Sequence, residues 1–232
     1  MSDQQRKIYQ SDAERYEALI SREDHLGNIP RALDEIINVD GLDIVDLGAG
    51  TGRLTVMLAP RAKSICSFDI SDHMLDVARS RLKALGLNNW RVEVADHRSV
   101  PLEDDSVDLV VSGWSVSYLA VWNPDSWRAE LGKWLGEMKR ILRPNRHIVL
   151  FESLGTGNES PIRLPHLENY YPWLDEMGFQ NKSIRTDYQF ESLDEAVELA
   201  GFFFGEEMAN QVRARRNVIL PECTGVWWKK IE

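Results

Sequence analysis

The segment IVDLGAGTG, residues 44–52, joins a short apolar run to three glycines at alternate positions. The run Ile44–Leu47 predicts a buried strand, and the apolar spacing after Arg53 predicts a helix. A glycine-rich turn between a strand and a helix lets backbone approach a ligand closely and points N–H groups at it. This stretch therefore predicts a ligand-binding turn rather than an ordinary tight turn.

The spacing of the glycines narrows the choice of ligand. A dinucleotide fingerprint, G-x-G-x-x-G/A, requires Gly or Ala at position 53, where this chain has Arg53. No Gly-Lys-Ser/Thr follows the turn, as the phosphate-binding P-loop requires. The pattern thus argues against both a dinucleotide site and a P-loop.

Outward from this turn, strand and helix patterns alternate five times, which predicts right-handed crossovers and a parallel sheet. Before the turn, helices are expected over 11–22 and 30–38. Strands are expected at 44–47, 64–68, 90–95, 107–112 and 147–151, with helices at 71–86 and 126–142. After residue 153 we expect a loop, a helix over 166–177 broken near Pro172, a strand over 184–190, a helix opened by the capping box at 192–195, and a last strand over 218–228.

Two aspartates follow neighbouring strands. Asp69 lies at the end of the second predicted strand, 21 residues beyond Gly48, where a carboxylate can accept hydrogen bonds from both hydroxyls of a ribose. Asp96 ends the third strand, from which it could accept a hydrogen bond from an adenine amino group. Together with the glycine turn, they predict a nucleoside-containing ligand.

From Ile44 to Glu152 the chain resembles the class I S-adenosylmethionine (SAM)-dependent methyltransferases of the type 11 group. The resemblance rests on the run from Asp46 to Gly52, on Asp69 and Asp96, and on Leu142-Arg143-Pro144 before the fifth strand. It implies SAM as cofactor and a Rossmann-like, seven-stranded, mostly parallel sheet with helices on both faces and the last strand antiparallel. The cofactor-binding residues that it implies are Tyr16, Asp46, Gly48, Ala49, Gly50, Gly52, Asp69, Ile70, Asp96, His97, Gly113 and Trp114, with Tyr9 as a second N-terminal tyrosine.

The sequence also predicts a division of the chain. Residues 1–40 are expected to form a helical lid or cap, and residues 41–232 the SAM-binding domain. The part from 153 to 232 is expected to complete the sheet and the acceptor pocket.

Composition bears on the binding partners of the protein and on its location in the cell. The 232 residues carry a net charge of −10 without clusters of Lys and Arg, which argues against nucleic-acid binding. No run of 18 apolar residues and no signal peptide is visible, so we expect a cytoplasmic protein without a membrane partner. Two distant cysteines and five scattered histidines predict neither a disulfide framework nor a metal site.

The sequence says less about the reaction than it says about the cofactor. SAM carries its own electrophile. An in-line displacement therefore needs an aligned acceptor and the exclusion of water more than it needs a catalytic base. The acceptor is expected beside residues 112–118, which lack the Asn/Asp-Pro-Pro-Tyr of nucleobase methyltransferases, so a small-molecule acceptor is predicted. No catalytic residue is assigned, and Glu152, Tyr118 and His166 are weak candidates.

Alternatives to this function remain open at this stage. One is a catalytically silent SAM-binding regulator or partner subunit, since no acid–base residue stands out. Another is a nicotinamide-dependent oxidoreductase, against which Arg53 and the absence of Tyr-x-x-x-Lys both count. The methylated atom (O, N, S or C) and the choice between monomer and homodimer are open as well.

Overall fold

The N-terminal part consists of three short helices. The computed structural model of the chain describes residues 3–232, with side chains from Lys7 onward. Helices α1 (Asp3–Ser11), α2 (Ala13–Ile20) and α3 (Asn28–Asp34) precede the first strand. The sequence predicted α2 and, with a later start and end, α3. Helix α1 was not predicted.

Seven strands form the main sheet. They are β1 (Asp43–Leu47), β2 (Ser64–Asp69), β3 (Trp90–Val94), β4 (Val107–Gly113), β5 (Leu142–Thr156), β6 (Gln180–Arg185) and β9 (Glu222–Ile231). Their order across the sheet is β3-β2-β1-β4-β5-β9-β6. Strands β1 to β5 pair in parallel, whereas β9 pairs antiparallel with both β5 and β6. This arrangement confirms the predicted Rossmann-like sheet with an antiparallel last strand.

Helices cover both faces of the sheet, with a buried apolar cluster on each side. The helices that alternate with the strands are α4 (Arg53–Leu58), α5 (Asp72–Ala84), α6 (Ser117–Val121) and α7 (Trp127–Ile141). Ser71 caps α5 by accepting a hydrogen bond from the backbone N of Met74. Because both faces are covered, the central strands β1 and β4 are buried almost throughout.

The C-terminal part departs from the sequence prediction in three places. The strand expected over 184–190 is split between β6 and β7 (Tyr188–Gln189), and β7 pairs with β8 (Ile219–Leu220) in a separate small sheet. The strand expected over 218–228 is interrupted at Pro221, which has no N–H to donate. The predicted break at Pro172 was wrong. A 3₁₀ turn (Pro165–Leu167) precedes α8 (Tyr170–Glu176). Pro172 lies in the first turn of α8, where proline is tolerated.

The remaining helices are α9 (Leu193–Phe204) and α10 (Glu206–Arg215). Ser192 Oγ accepts a hydrogen bond from the backbone N of Glu195 at 3.1 Å, so the predicted start of α9 was correct. Helix α10 was not predicted, because its surface is mostly polar. Leu19 of α2 packs in a third apolar cluster with Tyr188 and Leu199, which joins the N-terminal helices to the C-terminal part.

Glu222, at the start of β9, is a buried carboxylate. Its Oε1 accepts a hydrogen bond from Ser153 Oγ at 2.7 Å, and its Oε2 has no partner among the described residues. Burial, and then the nearby charge of Glu23, raise the pKa of Glu222 to about 8 from an ordinary value of 4.5. Its contribution to stability is therefore fully present below about pH 4.5 and is lost as the pH rises through about 8.

We accordingly expect Glu222→Gln to gain stability relative to the wild type as the pH rises. Between pH 5.5 and 8.5 the difference in Tm should move in favour of the variant by about 4 °C or more, which thermal unfolding can measure. Glu159→Gln is the matched control, because Glu159 is an exposed carboxylate in an ion pair with Arg185. A Tm difference for Glu222→Gln that is flat over this pH range would contradict the prediction.

Candidate functional site

A cavity of about 610 Å³ lies at the carboxyl ends of the parallel strands. This is the edge at which open α/β sheets bind their ligands, and the volume lies in the range usual for small-molecule sites, roughly 300–1,000 Å³. The cavity is lined by the turn after β1, by the ends of β2 and β4, by the start of α6 and by α1 and α2. Of the predicted site residues, those that line it are Tyr9, Tyr16, Asp46, Gly48, Ala49, Gly50, Asp69, Ile70, Asp96, His97, Gly113, Trp114 and Tyr118.

The glycine turn and Asp69 are tied together. The backbone N of Gly50 donates to Asp69 Oδ2 at 2.9 Å, and the backbone N of Ser71 donates to Asp69 Oδ1 at 2.9 Å. Gly50 has a φ of 55°, and a Cβ added there would meet only Met74 Cε, at 3.6 Å. The turn therefore leaves open space in front of a carboxylate whose orientation the backbone has already fixed.

Gly52 does not line the cavity, although the sequence assigned it to the cofactor site. A Cβ on Gly52 would lie 3.0 Å from the Cβ of Ala78 on α5, and its φ is 82°. The third glycine therefore serves the close packing of α4 and α5 and the start of α4.

Asp96, His97 and Arg98 form the wall beside Asp69. Arg98 donates from its backbone N and its Nε to Asp96 Oδ1, both at 2.8 Å, and this pairing lowers the pKa of Asp96 to about 2. Burial lowers the pKa of His97, so its imidazole is neutral. The His97 Nδ1 atom is buried and has no partner among the described residues, which leaves an unsatisfied polar atom at this wall.

Asp46 lies beneath the glycine turn. It is 1% exposed, and its Oδ2 accepts a hydrogen bond from Thr55 Oγ1 at 2.6 Å. Burial raises the pKa of Asp46 to about 7. The carboxyl thus adds a titratable acceptor to the cavity.

Aromatic side chains form the wall opposite the strand ends. Tyr9 and Tyr118 are hydrogen-bonded through their hydroxyls at 3.0 Å, and Tyr118 stacks on Trp122 with ring centroids 5.0 Å apart. Tyr16 contacts Tyr9 edge-on at 5.4 Å. Burial raises the pKa values of Tyr9 and Tyr118, so both phenols stay protonated and Tyr118 is a poor base.

Arg53, Glu23 and Trp114 form a cluster that the sequence analysis missed. Arg53 Nη1 donates to Glu23 Oε2 at 2.6 Å, and its guanidinium carbon lies 3.8 Å from the centroid of the Trp114 ring. Trp114 has a φ of 52°, a conformation that is strained for a bulky residue. The only signal of this cluster in the sequence is the position of Arg53 directly after the glycine turn, which by itself argues only against a dinucleotide site.

Glu152 and His166 do not line the cavity, which argues against the role of base that both were considered for. Glu152 is 2% exposed, and its carboxylate accepts hydrogen bonds from Ser117 N, from Ser117 Oγ and from the Tyr170 hydroxyl at 2.9–3.1 Å. These bonds hold the start of α6, the helix that carries Tyr118. His166 lies in the 3₁₀ turn before α8.

We expect Glu152→Ala to destabilise the fold by about 2–4 kcal/mol, because three buried donors lose their acceptor. Glu152→Gln keeps one carbonyl oxygen for Ser117 N and the Tyr170 hydroxyl, so it should cost about 1 kcal/mol or less. Urea unfolding of both variants measures the difference. Equal losses in the two variants would show that the glutamine oxygen does not replace the carboxylate as an acceptor, and would contradict the prediction.

Comparison with known proteins shows what this site is similar to. Residues 44–145 match the model of a methyltransferase domain. The chain is 31% identical over 118 residues to a malonyl-[acyl-carrier protein] O-methyltransferase of Serratia marcescens, covering 51% of this chain and 40% of that protein. It is 34% identical over 116 residues to a demethylmenaquinone methyltransferase of Clavibacter sepedonicus, covering 49% and 42%. The aligned parts span less than two thirds of the curated relatives' lengths.

A solved structure agrees over nearly the whole chain. The structure of a SAM-dependent methyltransferase from Aquifex aeolicus superposes with a TM-score of 0.61 at 18% identity, covering 96% of this chain and 98% of that one. At this identity the likeness shows the shared fold. Sheet order and superposition show that the chain has the fold of this SAM-dependent methyltransferase, and its residues 44–145 are similar to a methyltransferase domain.

Proposed function

We propose that the protein transfers a methyl group from SAM to a small-molecule acceptor by in-line displacement. The observation that supports this function best is the joining of Gly50 N to Asp69 Oδ2, which presents a fixed carboxylate beside an open backbone turn. Such a carboxylate suits the two hydroxyls of a ribose. The unpartnered Nδ1 of His97 fits the same ligand, because a bound nucleoside would supply a polar neighbour to a buried atom that lacks one among the described residues.

The residues around the cavity divide into two groups in this proposal. Asp69 would hold the ribose, and Ile70, Asp96 and His97 would line the nucleoside end. Tyr16, Asp46, Gly48, Ala49, Gly113 and Trp114 would surround the amino-acid end. When bound, SAM supplies a methyl group on a positively charged sulfur. The protein's own contribution is then to align the acceptor and exclude water.

The N-terminal helices close the cavity in this proposal, as a lid or cap made by residues 1–40. Helices α1 and α2 contribute Tyr9, Gln10, Tyr16 and Ile20 to the lining. The hydrogen bond between Tyr9 and Tyr118 joins α1 to α6 across the cavity. The domain proper would be residues 41–232. No helix among residues 3–232 has the length and apolar character needed to span a bilayer.

The acceptor is proposed as a small molecule because the cavity is of ordinary ligand size and part of its wall is aromatic. The two curated relatives are named for malonyl-[acyl-carrier protein] and for demethylmenaquinone, so they support no single acceptor class. Both phenols of the Tyr9–Tyr118 pair are protonated. One O–H is used between them, so the pair has a second O–H to offer an acceptor oxygen or nitrogen.

Calorimetry with SAM and with its demethylated product, S-adenosylhomocysteine (SAH), tests the proposal, and we expect micromolar binding of both. A coupled assay for SAH against a metabolite library then tests turnover and identifies the acceptor. Quenching of tryptophan fluorescence by SAM but not by NADH is a rapid companion test. Failure to bind SAM or SAH would overturn the proposal, whereas binding without SAH formation from any acceptor would favour a silent SAM-binding subunit.

A further inference from the structure

Helices α1 and α6 form an uncharged wall of the cavity, which we call the α1–α6 wall. With the two residues that follow α6, they contribute six side chains to the lining, namely Tyr9, Gln10, Tyr118, Leu119, Trp122 and Asn123. Among the described residues, the charged side chains of the lining belong instead to β1, to the start of α4, to the end of β2 and to the residues just after β3. They are Asp46, Arg53, Asp69, Asp96 and Arg98.

The aromatic side chains of the α1–α6 wall suit a planar ring. Tyr118 and Trp122 are stacked, with ring centroids 5.0 Å apart and an angle of 10° between their planes. The Tyr9 ring lies 6.3 Å from that of Tyr118. All three side chains are half-buried and line the cavity, so part of each ring is open to a ligand. Aromatic side chains attract another ring more strongly than the buried area alone accounts for.

The two phenols of this wall add one hydrogen-bond donor. The hydroxyls of Tyr9 and Tyr118 lie 3.0 Å apart, so one O–H is used in the bond between them. Burial raises the pKa values of both phenols, which keeps the second O–H in place as a donor. An oxygen on a bound ring would accept a hydrogen bond from it.

A charged ligand would lack a partner at this wall, and burying an unpaired charge is costly. The two cations of the cavity lining already have partners, since Arg53 donates to Glu23 and Arg98 donates to Asp96. A cationic ligand would also lie beside the positive sulfur of SAM, and like charges repel more strongly in a protein cavity than in bulk water. The wall therefore favours an uncharged ligand.

We propose that the α1–α6 wall binds the methyl acceptor through a planar, uncharged ring that carries an oxygen. The Tyr9–Tyr118 pair donates a hydrogen bond to that oxygen, and Trp122 provides aromatic surface for the ring. This acceptor class deepens the proposed function and rests on it, because the ring belongs to the acceptor of that reaction.

Four probes that share the naphthalene ring test the class of ligand on SAH-saturated protein. At about pH 7, 2-naphthol is uncharged and carries an oxygen, 2-naphthoate is an anion, and 2-(aminomethyl)naphthalene is a cation. Naphthalene itself has no polar group. Because SAH lacks the positive sulfur, any preference against the cation then comes from the protein alone. By equilibrium dialysis, 2-naphthol should bind at least about 10-fold more tightly than either charged probe.

The double change Tyr9→Phe with Tyr118→Phe tests the hydrogen bond, because it keeps both rings and removes both hydroxyls. A single change would leave the other hydroxyl free to donate. We expect the double variant to lose about 3- to 10-fold in affinity for 2-naphthol and less than about twofold for naphthalene. Tyr171→Phe is the matched control, because the Tyr171 hydroxyl donates to the Ser153 carbonyl oxygen at 2.8 Å and lies outside the cavity lining. It should bind both probes as the wild type does.

Trp122→Leu tests the aromatic surface. It should weaken 2-naphthol and naphthalene to a similar extent, by about 3- to 10-fold, because both probes lose the same ring contact. Calorimetry with SAH establishes for each variant the concentration that saturates it, and thermal unfolding shows whether the variants fold.

Three results would overturn the acceptor class while leaving the proposed function intact. They are a wild-type protein that binds SAH but not 2-naphthol, tighter binding of a charged probe than of 2-naphthol, and equal losses for 2-naphthol and naphthalene in the double variant. The last would show that neither hydroxyl contacts an oxygen on the ring. If the wild type did not bind SAH, the proposed function itself would fail, and this inference with it.

Discussion

Gly50→Arg is expected to abolish SAH binding, with a loss of at least about 100-fold. The Cβ of any residue at position 50 would point into open space, with only Met74 Cε within 4 Å, so an arginine side chain would extend into the cavity. A side chain at position 50 would also occupy the space in front of Asp69, whose carboxylate accepts a hydrogen bond from the backbone N of residue 50. Calorimetry with SAH measures the loss.

The substitution also introduces backbone strain, because position 50 has a φ of 55°. Gly86→Arg separates the two effects. Gly86 has a φ of 67°, a Cβ added to it would meet nothing within 4 Å, and it follows α5 away from the cavity. This control should lose a similar amount of stability and keep its SAH affinity. If Gly50→Arg bound SAH normally, the ligand would not lie against the glycine turn.

Asp69→Ala is expected to weaken SAH binding by about 30- to 100-fold, because two hydrogen bonds to a charged acceptor are lost. It should weaken the binding of 5′-methylthioadenosine, which has the same nucleoside and sulfur but no amino-acid end, to the same extent, since both ligands carry the ribose. Asp69→Asn should bind with intermediate affinity, because the amide keeps one oxygen. Calorimetry with the two ligands gives all of these values.

The substitution also removes the acceptor for the backbone N–H groups of Gly50 and Ser71, so part of the loss in affinity would come from a change in the shape of the turn. Asp72→Ala is the matched control, because Asp72 is an exposed aspartate nearby on α5 that pairs with Arg79. It should leave both affinities unchanged. Normal SAH binding by Asp69→Ala would remove the ribose contact from the proposed function.

Periodicity predicted the elements that carry one buried face or a clear cap. Strands β1 to β4 and helices α5, α7 and α9 lie close to where the sequence placed them, because each has an apolar run or stripe and turn residues at its ends. Strand β5 contains the predicted 147–151 but extends beyond it at both ends, from Leu142 to Thr156. The C-terminal strands were less predictable. Whether residues 184–190 form one strand or two depends on which neighbours they pair with, and alternation within the segment is the same in both cases.

The site residues also divide into those that the sequence predicted and those that only the structure shows. Gly48, Gly50, Asp69 and Asp96 were expected to come together because the carboxyl ends of parallel strands meet at one edge, and the structure places them in one cavity. Arg53 and Glu23 are 30 positions apart, with no local pattern that connects them. For Glu152, position at a strand end suggested a cavity residue, whereas its side chain is used to hold α6.

The succession of strands and helices along the chain, the glycine turn and the acids that follow it are determined by sequence alone, because each depends on residues that are neighbours along the chain. Which side chains face the cavity, which carboxyls are buried and which carboxylate pairs with Arg53 are decided by tertiary structure. The reason is physical: burial, and with it the pKa of Asp46, Glu152 and Glu222, depends on what distant segments pack over a residue.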